Sequence, residues 1–154
     1  MQLSLHADYG LRVLIYLGAH PGEVVPTQRI SEAYGISKHH LVRVAQTLGH
    51  RGYVRVIPGR SGGVTLVRPP ASIRLGDVVR DVEPNLNLVE CFDRSTNTCP
   101  IVDACGLRRH LAHALDAFID DLNQHTLADL VTRTRRQRIA DVFVEVMRRP
   151  PDRP

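Results

Sequence analysis

Residues 24–51 carry two short helical patterns separated by a tight turn, which constrains the fold more than any other stretch of the sequence. The first helix is predicted to start at an N-cap, Thr27, and to end at Tyr34. The turn contains Gly35, which tolerates a positive φ, and Ser37, which is predicted to cap the second helix. The second helix is apolar along one face, at Leu41, Val44, Ala45 and Leu48. The pattern predicts a helix-turn-helix, although on its own it also fits any helical hairpin with a solvated polar face.

The opposite face of the second helix is polar and basic, which is typical of a DNA-reading helix. Such a helix enters the major groove and contacts bases and phosphates from its N-terminal part. Arginine suits this role because its guanidinium group makes paired hydrogen bonds to phosphate or guanine. The residues of this motif predicted to contact DNA are Gln28, Ser37, Lys38, His39, His40 and Arg43.

A glycine-rich hairpin follows the two helices directly. Residues 53–57 and 64–67 are predicted strands, and residues 58–63 are the loop between them. A hairpin in this position is the wing of a winged helix, and its tip lies against the DNA backbone or in the minor groove. The tip residues predicted to contact DNA are Arg60, Ser61 and Gly62. Residues 1–70 are therefore predicted to form a winged helix-turn-helix DNA-binding domain.

Charge is distributed unevenly along the chain. Residues 1–70 contain eight Lys or Arg against three Asp or Glu, whereas residues 71–131 contain five against ten. Residues 132–154 are basic again, with seven against three. A basic half joined to an acidic middle is typical of a nucleic-acid-binding part attached to another functional part. Uneven solvated charge is also common elsewhere, so this distribution supports DNA binding only together with the winged-helix pattern.

All three cysteines lie in one short segment with little capacity for regular structure. Seven residues separate Cys91 from Cys99, and five separate Cys99 from Cys105. Thiolates favour zinc, copper(I) or iron–sulfur clusters, but three ligands are one fewer than zinc sites and four-iron clusters usually have. The loose spacing, without a CxxC pair, favours an iron–sulfur cluster over zinc or free thiols. The spacing does not indicate a fourth ligand.

The chain after residue 70 is predicted to hold this loop and a long helix. An amphipathic helix begins after Gly106, and its apolar stripe is wide enough to pair with a second copy, or else to pack on its own winged domain. The stripe consists of Leu107, Leu111, Ala114, Leu115, Phe118, Ile119 and Leu122. Residues 71–131 are predicted to be a cluster-binding loop and dimerisation helix, and residues 132–154 a basic, partly disordered C-terminal tail. Within this tail, residues 139–147 show some helical apolar spacing, and the proline-rich end at 150–154 is expected to be disordered. The predicted fold class is mainly α with a small β-hairpin wing.

Composition also restricts the compartment. No apolar run approaches the ~20 residues of a membrane span, and the N-terminus lacks the pattern of a secretory signal. An odd number of cysteines cannot all pair within one chain, which fits a reducing environment. The sequence therefore predicts a cytoplasmic protein without a membrane partner.

Several stretches resemble one family, the iron–sulfur winged-helix transcription repressors. Residues 6–14 resemble the family's opening helix, residues 60–66 its wing, and residues 73–83 its linking helix. Residues 105–108 and 126–131 resemble its dimer region, so the resemblance covers nearly the whole chain. It implies a homodimer that carries a 4Fe–4S cluster, with a 2Fe–2S cluster as the alternative.

The resemblance also separates two branches of that family. Members that regulate cluster biogenesis place a histidine three residues after the third cysteine, where this chain has Arg108. In the nitric-oxide-sensing branch the fourth ligand is an acid of the first helix, and Asp8 stands at the matching position. By pattern alone, Asp8 is an ordinary first-turn acid that complements the helix dipole and can pair with Arg12. The ligands implied by the resemblance are Cys91, Cys99 and Cys105, with Asp8 of the partner subunit.

The sequence and the resemblance together predict a transcriptional repressor, and not an enzyme. It would bind a pseudo-palindromic operator in double-stranded DNA as a homodimer, and would release it when nitric oxide nitrosylates the cluster. A regulator of the same fold that senses redox state, iron or cluster status is the first alternative. An iron–sulfur carrier or enzyme with an incidental basic half is the alternative from another class.

Overall fold

The computed structural model describes residues 2–148, which are mainly helical with a two-stranded sheet. The helices are α1 (Leu5–Ala19), α2 (Thr27–Tyr34), α3 (Lys38–His50), α4 (Leu75–Val82), α5 (Leu107–Leu122), α6 (Leu127–Leu130) and α7 (Arg133–Arg148). The strands are β1 (Val54–Ile57) and β2 (Gly63–Leu66). This architecture confirms the predicted fold class, a mainly helical chain with a hairpin wing. Within residues 2–148, no helix is both long and apolar enough to cross a membrane.

The predicted helix-turn-helix is formed by α2 and α3. Gly35 ends α2 at φ 63°, a left-handed conformation that carries no steric penalty for a residue without Cβ. Ser37 caps α3, because its hydroxyl oxygen accepts a hydrogen bond of 3.4 Å from the backbone N–H of His40. The predicted cap at Thr27 is wrong. Thr27 is already the first helical residue, and Pro26 before it makes no side-chain capping bond.

The wing is a hairpin that also pairs with the connection between α1 and α2. β1 and β2 are antiparallel, with Ile57 opposite Gly63. Val25 exchanges two backbone hydrogen bonds with Val64, at 2.8 and 2.9 Å, which attaches the wing to the helical part. Each predicted strand end lies within one residue of the observed end.

One hydrophobic core joins the winged helix to the elements that follow it. The apolar stripe of α3 is buried together with the inner face of α1. Val78 and Val82 of α4 belong to the same core, as does Leu127 of α6. Fully burying a side chain of this kind contributes about 1.5–3 kcal/mol. The regions predicted on either side of residue 70 therefore pack as one body, while their functional division stays a prediction.

Residues 133–148, within the stretch predicted to be a basic, partly disordered tail, form α7, which includes the helical apolar spacing at 139–147. Phe143 is 7% exposed, and its ring centroid lies 4.8 Å from that of Tyr16 and 5.0 Å from that of Tyr34. The helix packs on the core through Phe143 and the partly buried Ile139, while most of its arginines face solvent. The predicted disorder of residues 150–154 lies outside the described residues.

Candidate DNA-reading face and cysteine loop

The predicted DNA contacts of the helix-turn-helix all lie on the surface. The exposed residues are Gln28, Ser37, Lys38, His39, His40 and Arg43. The opposite face of α3 is anchored in the core, so these side chains project from a fixed helix. Gln28 has a partner already, because its amide donates a hydrogen bond of 2.9 Å to the carboxylate of Glu32. To contact DNA through its amide, Gln28 would have to release Glu32.

The wing tip presents Arg60 and Ser61 to solvent. Gly62 donates a backbone hydrogen bond of 3.0 Å to the carbonyl oxygen of Gly59 and closes the tip. A Cβ at Gly62 would collide with the backbone of Ile57 and Pro58. Glycine is therefore required at position 62 by the turn itself, independently of any contact with DNA.

The first turns of α1 touch the reading helix. Nε2 of His6 lies 3.0 Å from Oγ1 of Thr47, whose hydroxyl donates a bond of 3.2 Å to the carbonyl oxygen of Arg43. The ring of Tyr9 lies against His40, with centroids 6.2 Å apart. The sequence did not indicate His6 or Thr47, since no pattern shows which side chains of two separate helices meet. The N-terminal end of α1 is thus coupled to the helix that carries the predicted DNA contacts.

Asp8 lies between these contacts, in the first turn of α1, and pairs with Arg12. Its two carboxylate oxygens accept bonds of 2.8 and 3.0 Å from the guanidinium group of Arg12. The hydrogen bond to Asp8 raises the pKa of Arg12 above its usual value. The side chains of Arg12 and Asp8 are 43% and 38% exposed, and a surface pair of this kind contributes at most about 1 kcal/mol. The carboxylate of Asp8 can therefore exchange this partner at little cost.

The cysteine loop, residues 83–106, connects α4 to α5 and is irregular apart from a short 3₁₀ turn at Glu90–Phe92. All three cysteines are free thiols and half-buried. Cys105 lines a cavity of about 480 Å³ and Cys91 a neighbouring one of about 240 Å³, with Arg108 lining both. Within residues 2–148, no three His, Cys, Asp or Glu side chains are close enough to hold a metal ion. The structure thus places the cysteines in one loop, but it gathers neither their sulfur atoms nor Asp8 into one site.

The donor set nevertheless fits an iron–sulfur cluster. Thiolates are the soft ligands that such clusters use, and none of the three is held in a disulfide. Most of the backbone that carries them belongs to no helix or strand, so they can converge by rearrangement of the loop alone. Three thiolates leave one position open for a donor from elsewhere.

Two side chains close the cysteine loop on itself. One carboxylate oxygen of Glu90 accepts bonds of 2.6 and 2.7 Å from the backbone N–H and the hydroxyl of Thr98. These bonds lower the pKa of Glu90. The guanidinium group of Arg108 donates a bond of 3.0 Å to the carbonyl oxygen of Cys91. No sequence pattern indicated Glu90, and Arg108 was distinguished only as a departure from the histidine position of related proteins.

The end of α4 ties the cysteine loop to the DNA-binding half. The carboxylate of Asp81 accepts a hydrogen bond of 2.7 Å from the hydroxyl of Tyr53, at the root of the wing. Glu83, the first residue after α4, accepts bonds of 3.0 and 3.1 Å from the backbone N–H and the hydroxyl of Ser4, which caps α1. Side chains therefore connect the start of the loop to both the wing and α1.

The apolar stripe of α5 is largely uncovered. Ile119 is its single buried member in the described structure, whereas Leu107 is 58% exposed. Leu111, Leu115 and Phe118 line an apolar groove of about 540 Å³ together with residues near the N-terminus and in the cysteine loop. An apolar surface of this extent is typical of an interaction site.

A winged helix with an exposed reading face, joined by side chains to a cysteine loop, defines a transcriptional regulator of the helix-turn-helix type. Comparison with known proteins gives the same class. Residues 3–133 match the model of the Rrf2 family, described as an iron-dependent transcriptional regulator, and the chain belongs to this family. This result confirms the family resemblance that the sequence indicated.

Individual relatives agree with the family match. The chain is 48% identical over 132 residues to the HTH-type transcriptional regulator NsrR of Bacillus subtilis, covering 85% of this chain and 90% of that relative. It is 44% identical over 132 residues to NsrR of Bacillus licheniformis, covering 85% and 92%. Among solved structures it resembles CymR, the global cysteine regulator of Bacillus subtilis, with a TM-score of 0.67, 27% identity, and coverage of 86% and 97%. The relatives are regulators, which confirms that the chain is not an enzyme.

Proposed function

We propose that the chain is a homodimeric transcriptional repressor that binds a pseudo-palindromic operator and releases it in response to nitric oxide. The proposed cluster is 4Fe–4S, with 2Fe–2S as the alternative. Its ligands would be Cys91, Cys99 and Cys105 of one protomer and Asp8 of the partner subunit. When bound, the cluster supplies the iron with which nitric oxide reacts. The chain's own residues hold it, connect it to α1 and bind DNA.

Operator binding is assigned to α3 and the wing. A winged helix reads base edges in the major groove with its second helix and positions itself through contacts to phosphate. Arg43 projects from the second turn of α3 and suits guanine or phosphate, while Arg60 at the wing tip suits the backbone. The remaining proposed contacts are Gln28, Ser37, Lys38, His39, His40, Ser61 and Gly62.

Pairing of two subunits is assigned to the uncovered stripe of α5. Half-sites of a palindromic operator lie about 34 Å apart, so a repressor needs two reading heads in a fixed relation. The groove beside Leu111, Leu115 and Phe118 offers the apolar area for such a contact. The similarity to the transcriptional regulator NsrR over 85% of the chain supports the proposed role in transcriptional regulation.

The observation that carries the proposal is the position of Asp8. It lies in the same turns of α1 as His6 and Tyr9, which contact Thr47 and His40 of the reading helix. A carboxylate held by the cysteine loop of the second protomer would fix this turn, and with it the reading helix, relative to that protomer. A released Asp8 returns to Arg12, and the spacing of the two heads is no longer enforced. Because a carboxylate is a poor ligand for a soft site, Asp8 is the ligand that exchanges most readily.

Asp8→Ala tests this assignment in protein reconstituted anaerobically with iron and sulfide. The variant is expected to show an altered visible absorption spectrum and an operator affinity that nitric oxide no longer changes. Glu23→Ala is the matched control, because Glu23 is another exposed acid paired with an arginine, Arg29 at 3.3 Å. The control is expected to behave as the wild type.

Two results would change the proposal. An Asp8→Ala protein with the wild-type spectrum and a full nitric-oxide response would show that Asp8 is not a ligand. A wild-type protein that releases DNA on oxidation or iron depletion, and ignores nitric oxide, would replace the proposed signal with redox or iron status.

A further inference from the structure

We infer that Glu90 and Arg108 are positioning residues that hold the backbone segments of the three cysteines near one another before a cluster binds, so that the sulfur atoms need only a further rearrangement to converge. This inference rests on the proposed cluster function and extends it to two side chains that are not ligands. Each makes a hydrogen bond that closes part of the cysteine loop. Glu90, directly before Cys91, accepts its bonds from Thr98, and Arg108 donates its bond to the carbonyl oxygen of Cys91 itself.

Glu90 draws the first two cysteines together. Glu90 and Thr98 each directly precede a cysteine, so bonding them brings the backbones of Cys91 and Cys99 closer. The two bonds, at 2.6 and 2.7 Å, close a segment of eight positions. Closing a loop costs conformational entropy, so a segment already closed loses less when its thiols must meet at one group.

Arg108 connects the third cysteine to the first. It follows Cys105 by three positions in the first turn of α5, and its bond to the carbonyl oxygen of Cys91 spans 17 positions. Because α5 packs on α4, the bond of Arg108 connects Cys91 to a regular helix that contacts the rest of the fold. Arginine in the first turn is disfavoured by the helix dipole, and the bond to Cys91 gives this one a local role. Its side chain also lines both the cavity beside Cys91 and the cavity beside Cys105.

The thiol–disulfide equilibrium of the metal-free protein with glutathione tests both roles. Two protein thiols transfer two electrons to oxidised glutathione, which forms one protein disulfide and releases two reduced glutathione molecules with the protons of the thiols. The equilibrium constant measures the effective concentration of one thiol at the other. Cys105→Ser isolates the pair Cys91 and Cys99, and Cys99→Ser isolates the pair Cys91 and Cys105.

The two positioning residues are expected to act on different pairs. Glu90→Ala should lower the effective concentration of the Cys91–Cys99 pair about fivefold, and leave the Cys91–Cys105 pair within about twofold. Arg108→Ala should lower the effective concentration of the Cys91–Cys105 pair about fivefold and leave the Cys91–Cys99 pair within about twofold. Glu90→Gln keeps an acceptor oxygen for Thr98 and should restore most of the loss.

Two control variants remove the same kinds of charged group, a carboxylate and a guanidinium group, at positions that do not link two cysteines. Asp93→Ala removes a carboxylate of the same loop that bonds Ser95, only two positions away, at 2.6 and 2.9 Å. Arg109→Ala removes the next guanidinium group, which lines the cavity beside Cys105 but has no hydrogen-bond partner among the described residues. Both controls are expected to leave the two pairs unchanged.

The inference is overturned if Glu90→Ala and Arg108→Ala change neither pair, lower both pairs equally, or act no differently from the controls. The proposed function is tested separately by uptake of iron and sulfide. A wild-type protein that takes up no cluster, while its variants show the selective pattern, would refute the proposed function and leave the positioning roles intact.

Discussion

The hydroxyl of Tyr53 donates a hydrogen bond of 2.7 Å to the carboxylate of Asp81, which joins the root of the wing to α4. Tyr53 is 2% exposed, and the guanidinium carbon of Arg68 lies 5.0 Å from the centre of its ring. Burial raises the pKa of Tyr53, and the hydrogen bond to Asp81 raises it further. Because the cysteine loop leaves α4 just after Asp81, this bond connects the wing directly to the loop.

Tyr53→Phe removes that bond and leaves Asp81 without its buried donor. The free energy of unfolding, measured by urea denaturation, should fall by about 1–2 kcal/mol. Tyr9→Phe is the control, since the hydroxyl of Tyr9 has no hydrogen-bond partner within residues 2–148. Equal losses in the two variants would contradict a specific role for the bond between Tyr53 and Asp81.

Alkaline pH should destabilise the fold through Tyr34. Burial raises the pKa of Tyr34 from 10 to about 12, because the folded protein disfavours its ionised form. Its contribution to stability is therefore complete below pH 10 and is lost as the pH rises towards about 12. The Tm of the wild type should fall across this window. Tyr34→Phe should reduce the fall without abolishing it, because the pKa of Tyr53 is also raised in the folded protein. Identical pH profiles for the wild type and Tyr34→Phe would exclude this linkage.

Operator binding should depend on Arg43 and Arg60 in different ways. Arg43→Ala is expected to weaken the free energy of operator binding by about 1–3 kcal/mol and to relax the preference for one base pair. Arg60→Ala should weaken binding to all sequences alike and reduce the slope of log affinity against log salt by about 1. Fluorescence anisotropy over a range of salt concentrations measures both effects.

Arg80→Ala is the control for these two variants. Arg80 is an exposed arginine on α4 that pairs with Asp116 at 3.4 Å, away from the proposed reading face. Its removal should leave affinity and salt dependence unchanged. Full operator affinity in both Arg43→Ala and Arg60→Ala would favour a function in which the basic half is incidental.

Phe143→Ala tests the packing of α7. Loss of its ring from the contact with Tyr16 and Tyr34 should lower the free energy of unfolding by about 3–5 kcal/mol. Val142→Ala, at a position that is 55% exposed, should cost less than about 0.5 kcal/mol. A negligible effect of Phe143→Ala would contradict the packing of α7 on the core.

Local patterns were sufficient to predict the elements that carry the fold. The spacing of apolar residues located α3, and Ser37 was recognisable as a cap because its hydroxyl acts within one turn. The cap at Thr27 was predicted wrongly, since the residue type alone does not show where the first turn begins. The helical spacing at 139–147 indicated the second half of α7, but the arginine-rich residues before it gave no apolar pattern from which to predict its start at residue 133.

The site was only partly predictable, because its contacts join distant parts of the chain. The exposed residues of α3 and the wing follow from local position. The bond of Glu90 to Thr98, the bond of Arg108 to Cys91 and the contact of His6 with Thr47 depend on tertiary structure. The proposed role of Asp8 requires a second subunit, so neither spacing nor a single chain can place it beside the cysteines.

The most direct test of the central claim measures operator affinity of the cluster-loaded wild type before and after nitric oxide, under anaerobic conditions, with the visible absorption spectrum of the same sample. The account predicts that the spectrum changes and that operator affinity falls at least about tenfold. An operator affinity that stays constant while the spectrum changes, or a protein that binds DNA equally well without any cluster, would contradict it.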